Sequence, residues 1–467
     1  MLFNSVEFAI FFPCVALLYF LLEHRFRWIL LLGASCAFYM FFIPKYILIL
    51  ALTIVVDYWA AIFIENTQGS RRRLALVVSI LSTCLILAVF KYYNFFLSNV
   101  ETMSHCLGWN YHVRLLNIIL PIGLSFHTFQ SLSYVIEVYR GNQKAERHFG
   151  IYSLYVMFFP QLVAGPIERP QNLLHQFRER HSFDPERVRR GLQLAAWGLF
   201  KKVVIADRLS LLVNQVYSGP QVYAGIVLIV ATVFFAFQIY CDFSGYSDIA
   251  IGCAEVLGFK LMTNFRRPYL SVSVAEFWQR WHISLSTWFR DYLYIPLGGN
   301  RGSFSRWQFN LLATFLVSGL WHGANWTYIA WGGINGFYLV VENLLKRVRS
   351  GREVIQIRTI RCALTFALIC VSWIFFRAEH VSSAWYVLTH LFSMHGQLFP
   401  ENYRYLGGCL ALIAGLLFLE NYQERFRLRE WVSRLPSSPR WAIYYAGISL
   451  LYFIGIYGRN QFIYFQF

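Results

Sequence analysis

Long apolar runs alternate with short polar segments along most of the chain. A transmembrane helix needs about 20 apolar residues, and many of these runs approach that length. The candidate spans are residues 7–22, 28–43, 46–64, 74–96, 115–138, 149–165, 221–240, 308–320, 326–343, 361–376, 404–420 and 441–457. Because several runs are short, we expect about eleven spanning helices, with others re-entrant or tilted. The pattern predicts an all-α, polytopic integral membrane protein with additional re-entrant or interfacial helices.

Two segments interrupt this pattern, at residues 166–212 and 265–302. The first carries Lys201 and Lys202 at the centre of a helix expected over 188–212, and we expect this helix to lie in the membrane interface with its cations reaching water. In the second segment, aromatic residues recur at helical spacing after a capping box formed by Ser273 and Glu276. We expect one amphipathic or re-entrant helix there, with His282 on its aromatic face.

Composition and charge support a membrane location. Hydrophobic residues make up 57% of the chain and charged residues 14%, whereas soluble domains contain roughly 25% charged residues. The net charge of +17 arises largely from basic clusters between apolar runs, and without a binding motif these clusters do not indicate nucleic acid as a partner. The basic loops at 23–27, 66–73 and 140–148 are expected inside, which places the N-terminus and loop 97–114 outside.

Ionisable side chains within apolar segments are the candidates for chemistry, because such groups face a cavity or a charged partner. They are Asp57, His127, Asp242, Asp248, His282 and His322. Structural alternatives exist for them. His127 could form a hydrogen bond between helices, the two later aspartates could pair with arginines of 265–302, and His282 could be a core histidine.

His322 lies in "LVSGLWHGANWTYIAWG" (316–332), flanked by Trp321 and Gly323 and followed by Asn325. The glycines allow close approach of backbone or ligand. A neutral imidazole in such a pocket suits a general base near neutral pH, and it could take a proton from a hydroxyl that attacks a thioester. Because spacing offers no third ligand near His282 and His322, we expect no metal.

These motifs also carry a family resemblance. The relevant stretches are "PIGLSFHTFQSLSYVIEVYRG" (121–141), "FPQLVAGPIERP" (159–170), "YCDFSGYSDIAIG" (240–252), "EFWQRWHISLSTWFRDYLYIPLGGNRG" (276–302) and "GLWHGANWTYIAWG" (319–332). Together they resemble the membrane-bound O-acyltransferase family, in particular its bacterial alginate O-acetyltransferase branch. That branch usually has tyrosine at the position of His127.

The resemblance implies a single transmembrane domain over 1–467, with a catalytic core at about 115–345 between N-terminal helices 1–110 and C-terminal helices 355–467. It implies a central tunnel with His322 as the catalytic histidine and His282 as the second family histidine. We expect tunnel or supporting roles for a further set of residues. These are Asp242, Asp248, Arg280, Trp281, Trp321, Asn325 and His127.

The implied activity is O-acyl transfer, most simply O-acetyl transfer, in the bacterial inner membrane. The expected donor is a cytoplasmic thioester, either acetyl-CoA or an acyl-carrier protein, with no permanently bound cofactor. The expected acceptor is an extracytoplasmic polysaccharide such as alginate, reached through an exported acetyltransferase or esterase-like partner.

Other functions stay open at this point. Within the family, the acceptor could be peptidoglycan or teichoic acid, with an acyl-carrier donor. A proton-coupled transporter is a second class, although the chain lacks the internal repeats typical of many transporters. A non-catalytic scaffold for a glycan synthase is a third.

Overall fold

The structure is a computed structural model that describes residues 1–109, 111–117, 120–348, 357–398, 403–426, 431–432, 434–457 and 462–463. These residues are helical or irregular, and the β-structure found among them is one isolated bridge between Tyr223 and Gln397. The all-α prediction is confirmed. Two compact units are present: the first comprises 1–191 and 253–262, and the second comprises 192–252 and 263–467.

The first unit consists of long, largely apolar helices and short connecting helices. Its helices are α1 Val6–Leu21, α2 His24–Met40, α3 Ile47–Asn66, α4 Gly69–Cys106, α5 Leu124–Arg140, α6 Phe149–Met157, α7 Phe159–Leu162 and α8 Pro170–Leu173. Two longer helices, α9 Pro185–Phe200 and α11 Gly225–Leu257, contribute residues to both units.

The second unit contains the remaining helices. They are α10 Asp207–Tyr217, α12 Val274–Arg280, α13 Ile283–Phe289, α14 Phe304–His322, α15 Trp326–Val348, α16 Arg358–Arg377, α17 Val381–His390, α18 Tyr403–Phe426 and α19 Ser437–Ile454. Helices α14 and α15 pack against each other within this unit, and this pair carries part of the candidate site.

Five helices among the described residues are long and apolar enough to cross a membrane. They are Pro44–Asn66, Gly69–Cys106, Gly225–Leu257, Arg358–Arg377 and Arg404–Tyr422. Large apolar side chains such as Leu48, Leu52, Leu81 and Leu85 are exposed on α3 and α4, as lipid contact requires. The chain is therefore a multi-pass membrane protein, while the total of about eleven spans stays a prediction.

A helical segment covers 188–212 as predicted, but the expectation that its lysines reach water is wrong. Helix α9 ends at Phe200, a π-helical turn covers Lys201–Ala206, and α10 begins at Asp207. The two lysines are only 3% and 4% exposed and do not reach water. Charges buried this deeply need ionic partners, so the turn places the lysines where carboxylates surround them.

The structural alternative for Asp242 and Asp248 was an ion pair with arginines of 265–302, and the structure pairs them with these lysines instead. Asp248 Oδ2 lies 2.8 Å from Lys201 Nζ. Asp242 Oδ1 lies 2.5 Å from Lys202 Nζ, which also contacts Asp207 Oδ1 at 2.8 Å. The aspartates on α11 are thus held in a buried ion network within the second unit.

Candidate active site

The segment around His282 forms two short helices, so the prediction of one continuous helix is wrong. The predicted capping at its start is present: Ser273 Oγ accepts a hydrogen bond from the Glu276 N–H at 3.1 Å, and the Glu276 carboxylate accepts one from the Val272 N–H at 2.7 Å. Helix α12 then ends at Arg280, and α13 starts at Ile283. The second histidine therefore lies at a break between helices and not on a helix face.

His282 has a left-handed backbone conformation, with φ of 44°. This region is unfavourable for residues other than glycine, so surrounding contacts must hold it. The Ile283 N–H donates to the Asn264 carbonyl at 2.9 Å, and the Arg266 N–H donates to the Arg280 carbonyl at 2.9 Å. These bonds tie both sides of the break to the segment before α12.

The side chain of Asn264 determines the tautomer of His282. Asn264 Oδ1 lies 3.0 Å from His282 Nδ1 and also accepts bonds from the Ser284 N–H and hydroxyl. Asn264 Nδ2 donates to Ser247 Oγ at 3.2 Å, which identifies Oδ1 as the acceptor in this network. The imidazole is thereby assigned as the Nδ1–H tautomer, with Nε2 as its basic nitrogen.

Burial controls the charge of this imidazole. His282 is 1% exposed, and its ring makes an edge contact with Phe243 at 4.6 Å between ring centroids. Because burial disfavours the charged form, it lowers the pKa of His282 to about 3. His282 is therefore neutral at physiological pH.

His322 is the last residue of α14 and lies among aromatic rings. Its ring centroid is 4.9 Å from Trp321, 4.9 Å from Trp331 and 5.4 Å from Phe376, all in edge-on arrangements. The side chain is 5% exposed. The aromatic walls fix the orientation of the imidazole and limit the access of water to it.

Glycines bring α14 and α15 into close contact next to His322. A Cβ atom on Gly319 would lie 2.3 Å from the Tyr328 carbonyl oxygen, and one on Gly332 would lie 2.3 Å from the Phe315 carbonyl oxygen. Gly323 packs against the Tyr328 ring in the same way. These glycines thus allow α14 and α15 to approach each other closely, and this is the close approach that the sequence predicts.

A cavity of about 490 Å³ brings the two histidines together, a volume typical of small-molecule sites. The residues that α14 contributes to its wall include Leu311, Thr314, Ser318 and His322, which recur at helical spacing. Its lining is mainly apolar and aromatic, and Arg290 is the charged residue of the described lining. The arrangement places two imidazoles, hydroxyl groups and one cation around a single space.

Among the other predicted site residues, Trp281 lines this cavity, and the others are not among its described lining residues. Trp281 stacks on Phe277 at 5.5 Å between ring centroids. Trp321 contacts His322 but is not a lining residue, and Arg280 pairs with Glu276 at 2.5 Å. Asn325 donates from Nδ2 to the Glu379 carbonyl at 2.8 Å.

Asp242 and Asp248 are also outside the described lining, because the buried lysines hold their carboxylates. His127 belongs to the first unit, where its Nε2 forms a hydrogen bond with the Thr53 hydroxyl. This contact links α5 to α3 and matches the interhelical alternative.

Two residues of this arrangement were not found from the sequence. Asn264 precedes His282 by 18 positions, so no helical spacing connects them. Arg290 lies in the same aromatic segment as Arg280, but only Arg280 was among the residues expected to support the site. The row formed by Thr314, Ser318 and His322 could have been identified from the sequence, because these polar residues recur every four positions in an apolar helix.

Comparison with known proteins identifies the class to which this fold and site belong. The model of the membrane-bound O-acyltransferase family matches residues 148–385, which include both cavity histidines. The chain belongs to this family and is an O-acyltransferase.

Particular relatives extend the match over most of the chain. It is 41% identical over 398 residues to "Probable alginate O-acetylase AlgI" of Pseudomonas aeruginosa, covering 84% of this chain and 75% of the relative. The protein of the same name from Azotobacter vinelandii is 41% identical over 84% of this chain and 78% of its own. The "Peptidoglycan O-acetyltransferase" of Helicobacter pylori is 35% identical over 85% of this chain and 80% of its own.

Proposed function

We propose that this protein moves an acyl group, most simply acetyl, from a cytoplasmic thioester towards hydroxyls of an extracytoplasmic cell-envelope polysaccharide such as alginate. The observation that carries the proposal is the presence of His282 and His322 in the wall of one cavity. The names of the relatives support this acceptor class, since they specify alginate and peptidoglycan.

His322 acts as the general base in this proposal. Its imidazole takes the proton of the acceptor hydroxyl while the oxygen attacks the thioester carbonyl. The new carbon–oxygen bond forms, the carbon–sulfur bond breaks, and the proton passes to the departing thiolate. Such proton transfer contributes about 10²–10⁴ in rate. The aromatic walls around His322 favour the reaction by limiting competing hydrolysis by water.

His282 orients or polarises the acyl or acceptor group. Its neutral ring is fixed by Asn264, so Nε2 keeps one orientation. Arg290 provides a cation at the same cavity, which suits a donor that carries phosphate, as coenzyme A and the prosthetic arm of an acyl-carrier protein both do. Tunnel or supporting roles for Trp281, Trp321, Asn325, Asp242, Asp248, Arg280 and His127 belong to the same proposal.

The proposed location is the bacterial inner membrane, with an exported acetyltransferase or esterase-like protein as partner. Peptidoglycan or teichoic acid is the alternative acceptor within the same chemistry. The similarity to a peptidoglycan O-acetyltransferase supports this alternative.

The proposal is tested in cells that lack the chromosomal copy and carry the wild-type chain, His322→Ala or His395→Ala. His395 is exposed and serves as the matched histidine control. At equal membrane expression, acetate released by mild base from each surface-glycan fraction should fall to background in His322→Ala alone. The fraction that loses acetate identifies the acceptor. Unchanged ester content in His322→Ala would contradict the enzyme role and favour a scaffold or transporter.

A further inference from the structure

Helix α4 extends well past its apolar part. Its 38 residues span about 57 Å at 1.5 Å per residue, almost twice the hydrocarbon thickness of about 30 Å. The apolar run ends near Phe96, and polar residues such as Ser98, Asn99, Glu101 and His105 are frequent in the last helical turns. The final turns of α4 are therefore expected to lie outside the hydrocarbon region, at the face that the basic-loop pattern assigns to the outside.

A tight turn ends α4 and brings the following residues back over it. Gly108 has φ of 77°, and the Gly108 N–H donates to the His105 carbonyl at 3.0 Å, while the Trp109 N–H donates to the Ser104 carbonyl at 2.8 Å. These two bonds form the Schellman arrangement that ends many helices.

The returning segment is fixed against α4 by a side chain further down the helix. Asn94 Nδ2 donates to the Leu116 carbonyl, and Asn94 Oδ1 accepts from the Leu116 N–H, both at 2.9 Å. The position of His112 over the last turns of α4 is thus set by the turn at Gly108 and by the Asn94–Leu116 pair, in which no side chain of Glu101, His105 or His112 takes part.

Three side chains with metal-ligating atoms meet at this place. Glu101 and His105 are four residues apart on one face of α4, and His112 reaches them from the returning segment. His112 Nδ1 lies 3.2 Å from Glu101 Oε1, and one ligand atom from each of the three lies within 4.8 Å of the others. In a tetrahedral zinc site with bonds near 2.05 Å, ligand atoms are about 3.3 Å apart.

We propose that Glu101, His105 and His112 bind a divalent first-row transition ion, with zinc as the best match to two imidazoles and a carboxylate. Small rotations of the exposed His105 and His112 side chains bring the ligand atoms to bonding distance. Water completes the coordination, since three protein ligands leave one position open. The bound ion would fasten His112 and its described neighbours, 107–109 and 111–117, to the end of α4.

This site was not predictable from the sequence. Glu101 and His105 have ligand spacing, but a pair of this kind is common on exposed helices. His112 joins them only because Gly108 reverses the chain, and that turn is not encoded by ligand spacing.

The test uses the purified full-length chain in detergent, with an affinity tag free of histidine, and Zn²⁺ in competition with a coloured chelator. The variants are His112→Ala and His105→Ala. The matched control is His175→Ala, which removes a histidine whose Nε2 lies 3.7 Å from Glu179 Oε1 and which belongs to no three-ligand group among the described residues. Thermal unfolding is measured with and without Zn²⁺.

We expect one saturable Zn²⁺ site per wild-type chain and a loss of at least about tenfold in affinity in either cluster variant. Zn²⁺ should raise the unfolding temperature of the wild type and of His175→Ala, but not of His112→Ala, because binding to the folded state alone stabilises it. Equal unfolding temperatures without metal would show that the variants fold. Equal Zn²⁺ affinity in His112→Ala and wild type, or no saturable binding in the wild type, would overturn the proposal.

Discussion

Asn264 is the residue that fixes the tautomer and the orientation of the His282 imidazole. Its side-chain oxygen accepts from His282 Nδ1 and from both donors of Ser284. The strained backbone of His282 needs such support, because a left-handed conformation is unfavourable for histidine. The orientation of this imidazole therefore depends on a residue that is remote in sequence.

Replacement of Asn264 tests this positioning role. Asn264→Leu removes the acceptor, and we expect acyl transfer to fall about 10–100-fold, by analogy with the loss of partners that orient metal-binding histidines. Asn264→Asp keeps an oxygen at the same position and should recover a large part of the rate. The measurement is acyl-transfer rate at equal amounts of folded protein. Equal rates for the Leu and Asp variants would contradict the role.

At the scale of helices, the contact between α14 and α15 carries His322. Gly319→Ala would place a methyl group 2.3 Å from the Tyr328 carbonyl oxygen, and such overpacking costs about 1–3 kcal/mol. We expect a lower unfolding temperature and reduced activity, because the helix that ends at His322 must shift.

The matched control for this variant is Gly333→Ala on α15. Its Cβ would meet only Leu316 Cδ2, at 3.6 Å, so replacing glycine by alanine within the helix should be neutral or stabilise it by up to about 1 kcal/mol. If the two variants unfold at the same temperature, the close contact of α14 and α15 does not matter for stability.

At the level of helices, the π-helical turn at 201–206 is a second feature that contributes to stability. Lys202→Met would leave Asp207 and Asp242 buried without their cation, and removal of one partner of a buried pair costs about 3–5 kcal/mol. Unfolding of the detergent-solubilised variant measures this loss.

Lys346→Met is the comparison for Lys202→Met. Lys346 is 62% exposed in its pair with Glu342, and surface pairs contribute about 0–1 kcal/mol. Similar losses in the two variants would show that the buried network has no special role in stability.

The sequence predicted some of these elements and missed others for identifiable reasons. Apolar length predicted the membrane helices, and the capping box at Ser273 correctly predicted the start of α12. The break at His282 was missed because aromatic spacing continues across it. The burial of Lys201 and Lys202 was missed because their partners on α11 come from about 40 residues later in the chain.

At the scale of the whole molecule, family membership and chemistry agree. The family model spans both histidines, and the second unit places them at one cavity. The family was recognisable from motif residues, whereas the shared cavity was not, because α12, α13 and α14 meet there only through tertiary packing. The central claim is that His322 takes a proton during acyl transfer in this cavity.

The most direct test is the release of thiol from an acyl thioester by the purified chain in liposomes, with a soluble hydroxyl acceptor. Wild type, His322→Ala and the control His395→Ala are compared at equal folded amounts. We expect acceptor-dependent thiol release to fall about 10²–10⁴-fold in His322→Ala and to stay unchanged in His395→Ala. Acceptor-dependent release at the wild-type rate in His322→Ala would contradict the general-base role of His322.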